Sequence, residues 1–455
     1  MHWLLMVAAL QAPPDTMRLT LEAAVEQTRT VSEEIRLARA QVLDAHGQVR
    51  EAFSAALPQV TGSLVYTRQF ASIFQGLAGD TTLSPIFANS PFGAANQWNF
   101  QIEARQTLWS GGKVGAGLVA ARAFRRGAEA QAQEAEADLV FRVKQAYLEA
   151  VTAHRLYEVA AANLALAREQ LRRVQLYHQA GTRAEYDLLR ARVDAANQEP
   201  AVVAARNSYD IALIELRRLV NLPAAQPVVL ATPLAAEDGT IPVVADSALA
   251  PVGRAALAAA EASVTVQEQV AKAARSDRLP TLSLGTTFQE QAFPEDGSPF
   301  GTDFRRNWNA EVRLSFPIFL GFRTSGAVQR AVAGVERARA QRDQLVEQVD
   351  LDVARARAEL ERTYVLMGAR RETVRQAERA HHLAGVRYAN GLTTQLEVSD
   401  ARVLRQQAEV NEIEAMRDYL LSLAALERAL GRPVSVERRP LDAAARYPIS
   451  EGSEQ

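Results

Sequence analysis

Trp98-Asn99-Phe100-Gln101-Ile102-Glu103-Ala104-Arg105-Gln106-Thr107-Leu108-Trp109 alternates apolar and polar side chains, Gln106 excepted, between two tryptophans, and no proline occurs after it until Pro200. Period-two patterning of this kind is a strand with one apolar and one polar face. The stretch after Trp109 reads as a helix, because proline inside a helix costs roughly 3 kcal/mol and only a proline-free window this long allows an uninterrupted one. From about Gly112 to Tyr177 such a helix runs on the order of 100 Å at about 1.5 Å per residue. A compact domain has no use for that rod.

The same pairing of strand and rod occurs twice. A second proline-free window separates Pro317 from Pro433, with a rod from about Phe322 to Arg387. The first rod carries an unbroken apolar stripe at alternating 3–4 spacing: Leu139, Val143, Ala146, Ala150, Ala153, Tyr157, Ala160, Leu164, Ala167, Leu171, Val174. That is a coiled-coil seam, and its alanines let backbones approach closely. The second rod repeats it from Val349 to Ala384 with Arg370 and His381 as interruptions, whose stems are expected to snorkel to water. The stripes are offset by 210 residues, and so are Trp98 and Trp308, Gly181 and Gly391, and Ala191-Arg192-Val193 and Ala401-Arg402-Val403. Upstream, Leu57-Pro58 matches Leu279-Pro280 at an offset of 222. One duplicated unit makes up most of the chain.

Residues 1–18 read as a signal-like N-terminus, although Met1 to Ala12 lacks the usual preceding Lys or Arg. Residues 19–223 form repeat one, with strands at about 59–70 and 97–109; 224–250 form a Pro-rich connector. Residues 251–433 form repeat two, with strands at about 281–289 and 307–319, and 434–455 form a C-terminal tail. The loops Ala71–Asn96 and Gln289–Asn307 are expected to face outward, and the connector to lie outside the helical wall.

Composition narrows the function. The 455 residues hold 51 Lys+Arg against 53 Asp+Glu, a net charge of −2 that offers no electrostatic basis for a nucleic-acid partner. There is no cysteine, hence no disulfide, thiolate metal site or thiol catalysis. Hydrophobic residues reach 48% while aromatics stop at 6%, a balance that favours long, closely packed helices. No run approaches the roughly 18 consecutive apolar residues of a transmembrane helix. No catalytic, cofactor-binding or metal constellation emerges either. His381 and His382 are adjacent rather than at i, i+4. Gly115-Ala116-Gly117-Leu118-Val119-Ala120 imitates a dinucleotide fingerprint, but the strand before it alternates and its repeat mate at Gly326 lacks the pattern. The expectation is no enzyme and no cofactor.

The choice of fold then turns on what the strands face. An amphipathic sheet can lie on a soluble core, or its apolar face can meet lipid as a barrel wall with aromatic girdles. Trp98 and Trp109 bracket one strand, as Trp308 and Phe319 bracket its repeat mate. Eleven residues at about 3.4 Å, tilted about 40°, give an apolar band of about 28 Å, close to a bilayer's hydrocarbon core. Each rod begins directly after a girdle aromatic, leaving no local core for the sheet to cover, which favours the barrel. Four strands cannot close one, since about eight is the minimum and open edges are not tolerated in lipid. Two copies would supply eight strands and three would supply twelve; physics alone leaves both open.

Each rod ends at a matched turn, Tyr177-His178-Gln179-Ala180-Gly181-Thr182-Arg183 and Arg387-Tyr388-Ala389-Asn390-Gly391-Leu392-Thr393. Gly181 and Gly391 suit the left-handed position that stops a helix. Thr182 with Glu185, and Thr394 with Glu397, fit capping boxes that start the next one. Helix, Leu-Pro, strand, loop, strand, rod, Gly-turn and helix, all duplicated from about Leu19 to Pro433, resembles the TolC-type outer-membrane efflux protein family. The fold class implied is mainly α with a small β part. Its helix-strand-strand-helix unit is duplicated, its long helices form a coiled-coil barrel, and its four strands join a homotrimeric twelve-stranded transmembrane β-barrel. The resemblance further implies a channel in the cell outer membrane, in contact with its lipid and extending into the periplasm as a helical tunnel. Its partners would be a periplasmic membrane-fusion adaptor, docked at hairpin tips around Gly181, Thr182, Gly391 and Thr394, and an inner-membrane transporter.

The family's periplasmic gate maps onto particular positions. Its acidic pair falls on Glu397 and Asp400, its latch tyrosine on Tyr388 and that tyrosine's acidic partner on Asp187. The latch arginine is replaced by Thr393, although Arg183 holds the equivalent place in the first copy. Arg190 stands where Asp400 stands, so the first copy has no matching acidic pair. Glu185, Asp187 and Glu397 also lie in first helical turns, where any acid gains about 0.3–1 kcal/mol from the helix dipole. Efflux of small molecules is the leading expectation. Type I protein secretion through the same duct, or a soluble periplasmic coiled-coil scaffold, are the alternatives.

Overall fold

The computed structural model describes residues 17–71, 94–223, 226–234, 240–243, 253–294, 296–434 and 437–440. The signal-like run Met1 to Ala12, nearly all of the Ala71–Asn96 loop, much of the connector and most of the tail lie outside the described residues. The chain divides into two compact units, one of Ala40–Ala130 and Leu257–Gln344, the other of Met1–Arg39, Gln131–Ala256 and Leu345–Gln455.

The first of these holds a four-stranded antiparallel sheet, β2 (Gln59–Arg68), β3 (Asn96–Trp109), β6 (Thr281–Ala292) and β7 (Arg305–Ser315), in the order β2-β3-β6-β7. Cross-strand register sorts the side chains by face. Leu64 pairs with Phe100, Ile102 with Phe288, and Phe288 with Trp308 on one face; Ser63 pairs with Gln101 and Thr287 with Asn309 on the other. The apolar side ends at a charged pair, Arg306 to Glu290 at 3.0 Å, beside Trp308.

Two details depart from the expected strands. The register of β3 against β6 slips between Thr107 and Trp109, so that Trp109 rather than Leu108 stands opposite Leu282. Uninterrupted alternation would place Trp109 with Thr107 on the polar face; the bulge turns it to the apolar one. β7 stops at Ser315 instead of reaching 319. Pro317 comes next but one and has no N–H to give a ladder, so Phe319 stands beyond the strand, edge-on to Phe322 at 5.9 Å.

Between β3 and the first rod, Gly111 and Gly112 adopt φ of +63° and +87°. Ser276 donates its hydroxyl to the Gly111 carbonyl at 2.8 Å, and Lys113 pairs with Asp277 at 2.7 Å. These contacts tie the joint to α5 (Ala255–Ser276), the repeat counterpart of α2 (Glu33–Ser54).

The second unit contains β1 (Met17–Leu19), α1 (Leu21–Val31) and most of the long helices: α3 (Lys113–Gln179), α4 (Glu185–Val220), α6 (Arg323–Ala389) and α7 (Gln395–Leu430). Both rods are 67 residues long and both return helices are 36. The seam alanines and branched residues do what their spacing promises. Leu139, Val143, Ala146 and Ala150 pack with Leu213, Leu216 and Val220, and Val353, Leu360 and Met367 pack with Ala415, Tyr419 and Leu426. Each fully buried Leu or Val there contributes about 1.5–3 kcal/mol. Tyr147 adds a buried polar link, donating to Leu19 O at 2.9 Å and accepting from Thr232 N at 2.9 Å.

The described parts of the connector and tail carry short strands. β4 (Val228–Leu230) runs parallel to β1, and β5 (Thr240–Val243) pairs antiparallel with β8 (Glu437–Pro440).

Candidate functional site at the hairpin tips

Both rods close with the same hydrogen-bond pattern. Thr182 N donates to Tyr177 O at 3.0 Å and Gly181 N to His178 O at 2.9 Å; Leu392 N donates to Arg387 O at 2.8 Å and Gly391 N to Tyr388 O at 3.0 Å. With φ of +73° at Gly181 and +70° at Gly391, each turn is a Schellman motif. The expected capping boxes are absent. Thr182 belongs to the motif that ends α3, where its hydroxyl donates to Tyr177 O at 2.9 Å, and Ala184 becomes the N-cap of α4. Thr394 is the N-cap of α7, but its hydroxyl makes no capping bond. Glu185, Asp187 and Glu397 are left to complement the helix starts through charge.

The two hairpins meet through Arg183, whose guanidinium carbon lies 4.6 Å from the centroid of the Tyr388 ring. Tyr388 is 8% exposed, and its hydroxyl is buried without a hydrogen-bond partner. The expected bond from Tyr388 to Asp187 is therefore not formed; Arg183 engages Tyr388 by its ring instead. Burial pushes the Tyr388 phenol pKa up, Arg183 opposes that shift and Asp187 adds to it. Thr393 leaves its buried hydroxyl unpartnered.

Glu397 and Asp400 are both exposed, and Arg387 reaches Glu397 at 3.9 Å. Their i, i+3 spacing puts both carboxylates on one side of the first turns of α7. Between the hairpins lies a cleft of about 670 Å³ lined by residues of α3, α4, α6 and α7, among them Arg173, Asp194, His381, Gln395 and Arg402. Arg402, 5% exposed, binds Asp194 at 2.6 Å and joins α7 to α4. Sequence reasoning missed this pair, although the repeated Ala-Arg-Val tripeptide marked its neighbourhood. His381 is half-buried and lines the cleft, where burial, with Arg405, Arg402 and His382, depresses its pKa.

The duplicated unit of amphipathic strands and 67-residue rods coincides with a family match: the model of a family described as "Outer membrane efflux protein" matches residues 24–222 and 247–432. The chain belongs to the outer membrane efflux protein family. It is 25% identical over 422 residues to the pyoverdine export outer membrane protein OpmQ of Pseudomonas putida, covering 90% of this chain and 85% of that protein. Among solved structures, the outer membrane protein VceC of Vibrio cholerae shares the fold with a TM-score of 0.74 at 21% identity, over 91% of this chain and 97% of that one. The CmeC outer membrane channel of Campylobacter jejuni does so with a TM-score of 0.76 at 18% identity, over 90% of this chain and 85% of that one. As an outer membrane efflux protein, the chain is an exit duct in the outer membrane, and these relatives are channel and export proteins rather than enzymes.

Proposed function

We propose that three copies of this chain close into one passive duct with a twelve-stranded barrel, working without a catalytic step. The observation that carries this proposal is the four-stranded sheet with a largely apolar face and with β2 and β7 as its two edges. An unpaired edge in hydrocarbon costs several kcal/mol per backbone group, so β7 of one copy pairs with β2 of the next. Strand directions alternate across the sheet, and edge-to-edge closure keeps them antiparallel. Trp98, Trp109 and Trp308 form the girdles, with Phe319 just past the end of its strand.

In this reading Glu397 and Asp400 become carboxylate rings at the periplasmic opening, which favour cations. Arg183 and Tyr388 hold the hairpins of each copy together, without a bond to Asp187. The tips around Gly181, Thr182, Gly391 and Thr394 receive a periplasmic adaptor, through which an inner-membrane transporter delivers cargo. The likeness to a pyoverdine export protein supports a small-molecule cargo.

The absence of native cysteine makes the edge pairing directly testable. Ser63→Cys in β2, combined in turn with Asn307→Cys, Asn309→Cys or Glu311→Cys in β7, should give a disulfide-linked trimer on oxidation in outer-membrane preparations. A chain that stays monomeric in every combination, and monodisperse without detergent, would overturn the duct.

A further inference from the structure

Charge on the apolar face of the sheet is confined to one end. Register places Arg68 of β2, Glu290 of β6 and Arg306 of β7 on the face of Tyr66, Phe288 and Trp308, at the end away from the rods. Among the described residues these are the charges of that face. Glu290 is matched, taking Nε of Arg306 at 3.1 Å and Nη2 at 3.0 Å on the same carboxylate oxygen. Those bonds use two of the five N–H donors of a guanidinium. The Arg306 side chain is 69% exposed and stands 5.6 Å over the Phe288 ring. Arg68 is exposed, 5.8 Å over the Phe70 ring, with no carboxylate partner among the described residues.

The loop after β6 lies on the same face. Trp98 donates its indole N–H to Gly297 O at 3.0 Å. Asn96, opposite Arg68 in the register, gives Nδ2 to Pro294 O at 3.2 Å and accepts from the Tyr66 hydroxyl at 2.8 Å. The loop is therefore folded down beside Trp98, away from the polar face, and it carries Phe300 at 90% exposure. Trp308 gives its own indole N–H to Thr286 Oγ1 at 3.0 Å. Both tryptophan donors at this end are thus taken within the chain, and the two arginines are the cations this rim presents outward. A charge on a lipid-facing strand is tolerated near the headgroups and costly at the midplane. Arginine stems reach for that layer, and a guanidinium fork matches phosphate oxygens.

We propose that this rim is a docking surface for the phosphate of an outer-leaflet lipid. Arg306 pairs with the phosphate beside Glu290, Arg68 adds a second cation at the other edge of the sheet, and the loop with Phe300 sits among the headgroups. The inference rests on the lipid-facing sheet proposed above and deepens it by naming the lipid group held and the residues that hold it.

Native mass spectrometry of the full chain in detergent, titrated with diphosphoryl lipid A, reads oligomeric state and bound lipid together. Saturable uptake is expected. Arg306→Gln combined with Glu290→Gln, which strands no charge, should weaken it about tenfold or more, as loss of a charged hydrogen bond does. Arg305→Gln is the control, because Arg305 stands opposite Gln291 on the polar face, and should leave uptake unchanged. Inorganic phosphate should not displace the lipid. In vesicles of phosphatidylethanolamine and phosphatidylglycerol, a fluorophore on Phe300→Cys should be quenched by lipids spin-labelled near the headgroup. A trimer without saturable lipid, equal losses in the Arg305 and Arg306 variants, or displacement by inorganic phosphate would overturn the docking surface and leave the duct standing. A fluorophore reached by aqueous iodide alone would overturn the placement of the loop. A monomer without lipid would overturn both readings.

Discussion

Arg183, in the turn after α3, sits over the ring of Tyr388, in the last turn of α6, and so couples the two hairpin tips of one chain across the cleft. A guanidinium on an aromatic face is worth about 0.5–2 kcal/mol according to how dry the site is. Arg183→Ala should loosen the tips and raise single-channel conductance in planar bilayers, with Arg183→Lys in between. Conductance identical to the wild type in both variants would show that this contact does not restrain the opening.

Glu397 and Asp400 can be examined apart from the latch. Both are exposed on one side of α7; among the described residues Glu397 has a cation within 4.0 Å, Arg387 at 3.9 Å, and Asp400 has none. Replacing both with alanine should reduce cation selectivity, and Asp400→Ala alone should account for most of the change. The readout is the reversal potential under a salt gradient, and an unmoved value rejects the carboxylate-ring assignment.

The glycine joint between β3 and α3 offers a paired comparison. Gly111 and Gly112 both have positive φ, so alanine at either meets backbone strain of about 1–2 kcal/mol. A Cβ at Gly111 would also stand 2.8 Å from Leu279 Cβ, while at Gly112 nothing lies within 4 Å. Gly111→Ala should therefore lower the thermal unfolding midpoint in detergent clearly more than Gly112→Ala. Equal losses would mean that crowding against Leu279 is relieved at no expense.

His381 makes tip stability depend on pH. Its folded pKa lies below the unfolded value of about 6.5, through burial first and then Arg405, Arg402 and His382. Between the folded and unfolded values the unfolded state binds more protons, so stability rises with pH and is lost as pH falls below about 6.5. Hydrogen exchange around residues 381–402 should accelerate on acidification in the wild type and much less in His381→Gln. Parallel pH profiles for the two would assign the effect to other groups.

Much of this architecture is legible in local pattern. The rods, their Gly-turns and the amphipathic strands come from proline spacing, 3–4 periodicity and period-two alternation, all of which depend on neighbours a few residues away. The duplication is equally visible, and both rods come out at equal length. Short-range signals failed where a competing local partner won: Thr182 looked like a cap for the next helix, but its hydroxyl was taken by Tyr177 O.

Contacts between residues far apart in the chain lie beyond the reach of such patterns. The bulge at Thr107 and Trp109 that turns the tryptophan to the apolar face exists only against β6. Arg402 reaches Asp194 across 208 positions, and Arg183 finds Tyr388 in the other repeat. Periodicity tells a residue which side of its own helix or strand it occupies. It carries no information about which other element arrives there, and that arrival determines whether a charge is paired, an aromatic is covered, or a donor is left without a partner.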